Sequence, residues 1–198
     1  MNKRSIEAIR KEEIINAFFK VVSEKGLAGA SIRKIADTLG CNHGILRYYF
    51  GSKEELIMSA IDIMEKKYIT QFQEGISKYD SSIDQLKYLL SYGFDKLGIQ
   101  LSDAWVEIFV FSKTNPNISK TLHEFYKKVI NNIENIIRIG IESGEFRDID
   151  PSVTANTILG YLEGTFFLSV VNTDDTYFES VGKQFREMFL EYLLKKNE

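Results

Sequence analysis

The sequence predicts an all-α protein in which a small N-terminal three-helix domain precedes a larger helical domain. The 198 residues contain only two prolines, Pro116 and Pro151, so long stretches of the chain carry no helix breaker. Apolar residues make up 44% of the chain and recur at helical spacing, which predicts amphipathic helices around a buried core. Glycines and short polar residues that favour helix ends separate these apolar patterns.

Three helices are predicted in the first fifty residues. Apolar residues at helical spacing indicate a helix over residues 5–25, followed by Gly26 where a helix cap usually lies. Ser31 is a candidate N-cap for a short second helix that stops at Gly40, where glycine allows the positive φ of a tight turn. Asn42 is placed to cap a third helix, which carries Phe50 and ends at the following glycine.

The rest of the chain is predicted to form longer helices. Ser52 and Glu55 supply the hydroxyl and the carboxylate of a capping box, which starts a helix over residues 53–77. Polar residues, and the pair Asp150-Pro151, mark the starts of further helices near 82–99, 102–113, 117–143, 152–172 and 174–195. Residues 165–171 also fit a strand, but we prefer the helix because a lone strand would have nothing to pair with.

The second and third helices have the pattern of a helix-turn-helix, whose second helix enters the major groove of DNA. Apolar residues placed to hold one helix across the other are Ile35, Ala36, Leu39, Cys41, Leu46 and Phe50. The outer face of the third helix presents His43, Gly44, Arg47 and Tyr48. Tyr49 and Lys53 can reach phosphates, and a helix N-terminus adds partial positive charge.

Composition argues against several other classes of protein. The single cysteine excludes an internal disulfide, and with two histidines the chain lacks the ligands of a dedicated zinc site. We find no catalytic motif and no phosphate-binding loop, so we expect neither an enzyme nor a cofactor. No targeting segment and no membrane-spanning apolar run are visible, so a cytoplasmic protein without a membrane partner is expected.

Charge is unevenly distributed along the chain. The formal net charge is −3, which taken alone argues weakly against a nucleic-acid partner. Residues 1–55, however, hold ten basic and seven acidic side chains. Residues 56–198 hold 15 basic and 21 acidic side chains. The acidity therefore belongs to the second domain, and the helix-turn-helix end is modestly basic.

A series of motifs occurs in order over the first 56 residues. They are Ile-Ile-Asn-Ala-Phe-Phe at 14–19, Glu-Lys-Gly at 24–26, Ser-Ile-Arg-Lys-Ile-Ala at 31–36, Leu-Gly-Cys at 39–41, Gly-Ile-Leu at 44–46 and Tyr-Phe-Gly-Ser-Lys-Glu-Glu-Leu at 49–56. With these motifs, residues from about 10 to 68 resemble the DNA-binding domain of the TetR family of transcriptional regulators. The chain length and the helical remainder agree with that family.

The resemblance implies a DNA-binding domain at 1–52, extending to about 68 by family convention, and a ligand-binding and dimerisation domain at 53–198. It further implies a homodimer that binds a palindromic double-stranded operator, and a repressor that an unknown small-molecule effector releases. The alternative is a helical interaction module that kept the fold without specific DNA binding. Salt-dependent DNA binding separates the two hypotheses.

The resemblance also assigns DNA contacts to particular positions. These are Ser31, Arg33, His43, Gly44, Ile45, Arg47, Tyr48, Tyr49 and Lys53. Ser31, Arg33 and Lys53 match positions that mostly hold the DNA backbone. The family commonly has tyrosine after the leucine of the recognition helix, and here that position is Arg47. Arginine can bind a phosphate or reach a guanine edge in bidentate fashion, and both contacts stay open at this point.

The second domain carries candidate pocket and interface residues. Candidates for the ligand pocket are Phe94, Trp105, Phe109, Phe125, Tyr161, Glu163 and Phe167. Glu107 and Glu163 lie in apolar stretches, where a solvated carboxylate is the expected state and a buried one could receive a cationic ligand. The last two helices would pair with their copies as a four-helix bundle through Leu159, Leu162, Phe166, Val170, Phe185, Phe189 and Leu193, although the same residues could pack within the protomer.

Overall fold

The computed structural model describes residues 3–92, 102–169, 171 and 174–194. This described part forms nine α-helices: α1 (Lys3–Gly29), α2 (Ile32–Leu39), α3 (His43–Phe50), α4 (Lys53–Ile76), α5 (Ser82–Tyr92), α6 (Ser102–Ser112), α7 (Pro116–Glu142), α8 (Pro151–Ser169) and α9 (Asp175–Leu193). The prediction of an all-α fold is confirmed. The strand considered over 165–171 is not formed, since residues 165–169 belong to α8.

Most predicted helix boundaries agree with the structure within a few residues. Pro116 and Pro151 are the first residues of α7 and α8, the helical position where a missing N–H costs nothing. The Asp150 carboxylate accepts hydrogen bonds from the next two free N–H groups of α8, at 2.9 and 3.0 Å. The predicted end of the fifth helix, at residue 99, lies outside the described residues. None of the described helices is long and apolar enough to span a membrane.

The chain divides into two compact units, each with its own buried residues. The first unit contains Met1–Lys67 and Asp103–Phe125, and the second contains Tyr68–Ser102 and Tyr126–Glu198. In the first unit, Phe18 of α1, Ile35 of α2 and Leu46 of α3 are fully buried, together with Leu56 and Ile57 of α4. These side chains hold the three N-terminal helices against the start of α4.

In the second unit, the turn after α7 connects several elements. Phe146 is fully buried, and the backbone N–H of Arg147 donates to the carbonyl of Leu193 at 3.0 Å. The Arg147 guanidinium lies 3.6 Å from the ring centroid of Tyr192. The Glu145 carboxylate accepts from two free backbone N–H groups at the start of α5, at 3.2 and 3.1 Å. The turn thus joins α5, α7 and α9 of this unit.

Candidate nucleic-acid interface

Local capping bonds that the sequence predicted start both α2 and α3. The Ser31 hydroxyl accepts from the N–H of Lys34 at 3.2 Å, and the Asn42 side chain accepts from the N–H of Gly44 at 2.8 Å. Gly40 has φ 64° and ψ 30°, a left-handed conformation that glycine adopts without strain. Each bond satisfies a backbone donor at a helix start, so the two helices meet in a defined geometry.

The recognition helix α3 has one buried and one exposed face. Leu46 and Phe50 are buried, and Ile45 and Tyr49 are half-buried. The exposed positions are those predicted for the outer face: His43, Gly44, Arg47 and Tyr48. The Tyr48 side chain is 81% exposed and its ring meets that of Tyr49 edge-on, with 5.3 Å between the centroids. The helix therefore presents a continuous polar and aromatic surface.

Contacts between α2 and α3 differ in part from those expected. Ile35 and Ala36 are buried as predicted, but Leu39 and Cys41 are only half-buried. Cys41 lines an open depression of about 640 Å³ between the two helices, which accounts for its partial exposure. Arg33, His43 and Arg47 line it as well. Three of the predicted DNA-binding side chains thus share one surface, with two guanidinium groups on it.

Lys53 is the first residue of α4, and its ammonium group contacts the end of α1. It donates a hydrogen bond to the backbone carbonyl of Leu27. Burial lowers the pKa of Lys53, and the negative charge of Glu107 partly opposes this effect. An ammonium group has three donors, so this bond leaves donors that could reach a phosphate. The phosphate contact of Lys53 stays a prediction.

The candidate pocket residues are divided between the two units. Phe94 lies outside the described residues. In the first unit, the rings of Trp105 and Phe125 meet edge-on, with centroids 5.5 Å apart, whereas Phe109 is 40% exposed. In the second unit, Tyr161 stacks on Phe185 and donates its hydroxyl to the carbonyl of Val181 at 3.1 Å. Phe167 is half-buried. A pocket formed by these residues stays a prediction.

Glu163, the charged member of that set, is not solvated as expected. Its Oε2 atom is buried, and among the described residues no hydrogen-bond partner reaches it. Burial raises the pKa of Glu163, and a hydrogen bond with Tyr126 partly offsets the rise. Tyr126 belongs to α7, so this contact joins two helices of the second unit, and the local sequence around Glu163 does not reveal it. The second unit therefore contains a carboxyl group with unused hydrogen-bonding capacity.

Replacing Glu163 with glutamine is expected to raise the free energy of unfolding at pH 7 by about 1 kcal/mol, because a buried charge is removed while a hydrogen-bonding group remains. A raised pKa means that the folded state binds the proton more tightly, so the stability of the wild type falls as pH rises from 4.5 through the raised value. Urea unfolding between pH 4 and 8 measures both effects. Glu124→Gln, on the exposed surface of α7, is the control. Equal pH slopes for wild type and Glu163→Gln would contradict the assignment.

The predicted interface residues of α8 and α9 differ widely in exposure. Leu159, Leu162, Phe166 and Phe185 are half-buried. Phe189 is 8% exposed and Leu193 is fully buried within the single chain, so Leu193 has no surface for a second copy. Val170 lies outside the described residues.

Sequence reasoning missed the most exposed apolar side chains among the described residues of these two helices. They are Val153 (63% exposed), Leu168 (51%), Met188 (61%) and Tyr192 (49%). Val153 and Leu168 share one face of α8 with the exposed Gly160 and Gly164, and a Cβ atom added at either glycine would meet no atom within 4 Å. The i, i+7, i+11, i+15 spacing of these four positions was the signal available in the sequence.

Known protein families match both the helix-turn-helix region and the helical region that follows it. Residues 14–60 match the family model described as bacterial regulatory proteins, tetR family, and residues 62–189 match the one described as YsiA-like protein, C-terminal region. The HTH-type transcriptional regulator BetI of Stenotrophomonas maltophilia is 26% identical over 67% of this chain and 69% of its own length. The fatty acid metabolism regulator protein of Bacillus subtilis is 26% identical over 81% of this chain and 83% of its own.

Two solved structures show the same fold. A TetR transcription regulator from Haloarcula marismortui is 22% identical, with a TM-score of 0.85 over 95% of this chain and 100% of that chain. The regulator FadR from Bacillus subtilis, solved in complex with stearoyl-CoA, is 23% identical. Its TM-score is 0.81 over 91% of this chain and 98% of that chain. The similar proteins are regulators rather than enzymes. Since the two family models together span residues 14–60 and 62–189, the chain belongs to the TetR family of DNA-binding transcriptional regulators.

Proposed function

We propose that the protein is a homodimeric repressor that binds a palindromic DNA operator and is released by a small-molecule effector. The observation that carries the DNA-binding part is the split of α3 into a buried face, with Leu46 and Phe50, and an exposed face, with His43, Arg47 and Tyr48. In this proposal α3 enters the major groove of one half-site. The DNA-binding domain is residues 1–52, extended to about 68, and residues 53–198 bind the effector and dimerise. Such a regulator acts in the cytoplasm.

The proposed contacts fall into two classes. Ser31, Arg33 and Lys53 hold the phosphate backbone, because they lie at helix starts or on α2 beside the reading helix. The side chains of α3 face the base edges, and Gly44 allows the backbone of the helix to come close to the groove. Ile45 and Tyr49 are half-buried, so they contribute the edge of this surface.

Selection of bound DNA from a random pool by the purified protein tests the operator proposal. We expect enrichment of an inverted repeat with half-sites about one helical turn apart, as a two-fold dimer requires. Enrichment of no sequence, with only salt-sensitive binding to all DNA, would reject the operator. Absence of any DNA binding would favour the alternative, a helical interaction module.

The proposed dimer uses the exposed apolar side chains of α8 and α9. Leu168, Met188 and Tyr192 form exposed apolar surface, which usually marks an interaction site. The open space beside Gly160 and Gly164 lets a second helix approach α8 closely. The half-buried residues predicted from the sequence, such as Leu162 and Phe166, would support this surface from within the protomer.

Substituting Leu168 by glutamate is expected to weaken the dimer at least about 100-fold, because a two-fold axis places two unpaired charges in one apolar interface. Analytical ultracentrifugation over a concentration series measures the dissociation constant. Val110→Glu, at a similarly exposed apolar position on α6 (58% exposed), is the matched control and should leave the dimer intact. An unchanged dimer in Leu168→Glu would exclude this face of α8 from the interface.

For the effector we propose a long-chain acyl-CoA. The support is the similarity to the fatty acid metabolism regulator over 81% of this chain and to the regulator solved with stearoyl-CoA. The buried Oε2 atom of Glu163 favours a second candidate, a ligand with a cationic group that pairs with this carboxylate. Titration of the protein–operator complex with stearoyl-CoA, and separately with choline as the cationic probe, decides between them. Release by stearoyl-CoA but not by free coenzyme A supports the first candidate, and release by choline alone supports the second.

A further inference from the structure

The Glu107 side chain of α6 contacts the end of α1. Its carboxylate Oε2 accepts a hydrogen bond from the backbone N–H of Leu27 at 2.8 Å, across 80 positions of sequence. The carbonyl of the same residue accepts from the ammonium group of Lys53. A carboxylate from α6 and an ammonium group from α4 therefore hold both backbone polar groups of Leu27. All of these groups lie within the first unit.

The free N–H of Leu27 results from a break in α1. Gly26 has φ 70° and ψ 166°, so the helix is interrupted there and the next residue loses its regular helical acceptor. A Cβ atom at Gly26 would lie 3.0 Å from Oε1 of Glu107, which shows how closely the carboxylate approaches the backbone. Two separate observations, the hydrogen bond and this close approach, place the carboxylate against the break.

The position of this contact connects it to the reading surface. Leu27 is followed within four residues by Ser31, the N-cap of α2, and α2 leads through the Gly40 turn into α3. Leu27 is itself 3% exposed, so its side chain is part of the packed core of the first unit. A shift of Leu27 would be passed on to the start of α2. Glu107 lies outside residues 14–60, which match the DNA-binding family model.

We propose that Glu107 is a positioning residue for operator recognition. By binding the Leu27 N–H, it fixes the start of α2 and thereby the orientation of α3. The proposal rests on the operator binding proposed above. It adds a residue of α6 to the machinery that aligns the DNA-binding helices, although that residue touches no DNA. The negative charge of Glu107 strengthens its hydrogen bond with the Leu27 N–H, since hydrogen bonds to a carboxylate are stronger than those to a neutral acceptor.

The test compares three substitutions of Glu107 by fluorescence anisotropy on the selected operator. Glu107→Ala removes the acceptor and is expected to raise the operator Kd at least about tenfold, with little change in Kd for random DNA. Glu107→Gln keeps an acceptor oxygen and should restore the affinity to within about threefold of wild type. Glu107→Asp keeps the charge but shortens the reach, and should fall between them. Glu124→Ala, an exposed carboxylate of α7, is the matched control.

Amide hydrogen exchange at Leu27 reports on the contact itself. We expect faster exchange at Leu27 in Glu107→Ala and protection close to wild type in Glu107→Gln. If Glu107→Ala exposes the Leu27 amide but leaves the operator Kd within twofold, the contact is structural only and the proposal is wrong. If the exchange of Leu27 does not change, the contact is absent in solution and the proposal is equally wrong. Failure of the wild type to select any operator would instead reject the proposed function.

Discussion

Replacing Arg47 with alanine is expected to weaken operator binding by about 1–3 kcal/mol per half-site and to relax sequence preference at one position of each half-site. Arg47 is exposed on α3 and lines the depression between α2 and α3, so its guanidinium is free to reach the groove. A bidentate contact to guanine uses two parallel donors that alanine lacks. Repeating the DNA selection with Arg47→Ala measures the relaxed position directly.

Two further variants separate base reading from phosphate binding. Arg47→Lys keeps the charge but loses the planar fork, so it should also lose preference at that position. Arg33→Ala, proposed to remove a phosphate contact, should weaken all DNA sequences about equally and reduce the salt dependence of binding. If Arg47→Ala weakened all sequences equally and left the selected motif unchanged, Arg47 would be a phosphate contact and not a reader of bases.

Replacing Phe50 with alanine is expected to lower the free energy of unfolding by about 3–5 kcal/mol. Phe50 is only 2% exposed at the end of α3, where it is among the largest fully buried side chains. Its removal leaves a cavity that the packed first unit cannot fill without moving the recognition helix. Urea unfolding followed by circular dichroism gives the change in stability, and operator binding should be lost with it.

The neighbouring Tyr48 provides the matched control for Phe50. Its side chain is 81% exposed, so Tyr48→Ala should change the unfolding free energy by less than about 0.5 kcal/mol while still altering operator affinity. We therefore expect Phe50→Ala to lower stability, and Tyr48→Ala to alter operator affinity alone, although the two positions lie close together on one helix. Similar losses of stability in both would show that Tyr48 packs in solution and does not face the DNA.

Local sequence was sufficient to predict the helix-turn-helix. The caps Ser31 and Asn42 and the left-handed Gly40 depend on neighbours a few residues away, and each occurs in the structure as predicted. The reason is that capping bonds and helical periodicity act within about four residues. The same local rules placed Pro151 at a helix start, where the structure has it.

Local sequence patterns did not predict features that depend on packing between distant parts of the chain. The expectation of a solvated Glu163 was wrong because burial of its Oε2 atom results from packing within the second unit. Leu193 was proposed for an interface, yet it is fully buried within its own chain. Apolar periodicity identifies which face of a helix is buried, but it does not say whether the same chain or a second copy covers that face.

The sequence by itself determined the all-α fold, most helix boundaries and the family, since these follow from local patterns and ordered motifs. Only the tertiary structure revealed that Glu107 of α6 binds the Leu27 N–H and that Met188 remains exposed on α9. Glu107 and Leu27 are 80 positions apart, and no periodicity relates residues at that separation. Their contact exists because Gly26 frees the backbone N–H of Leu27 from the helix, and a carboxylate distant in sequence supplies the acceptor.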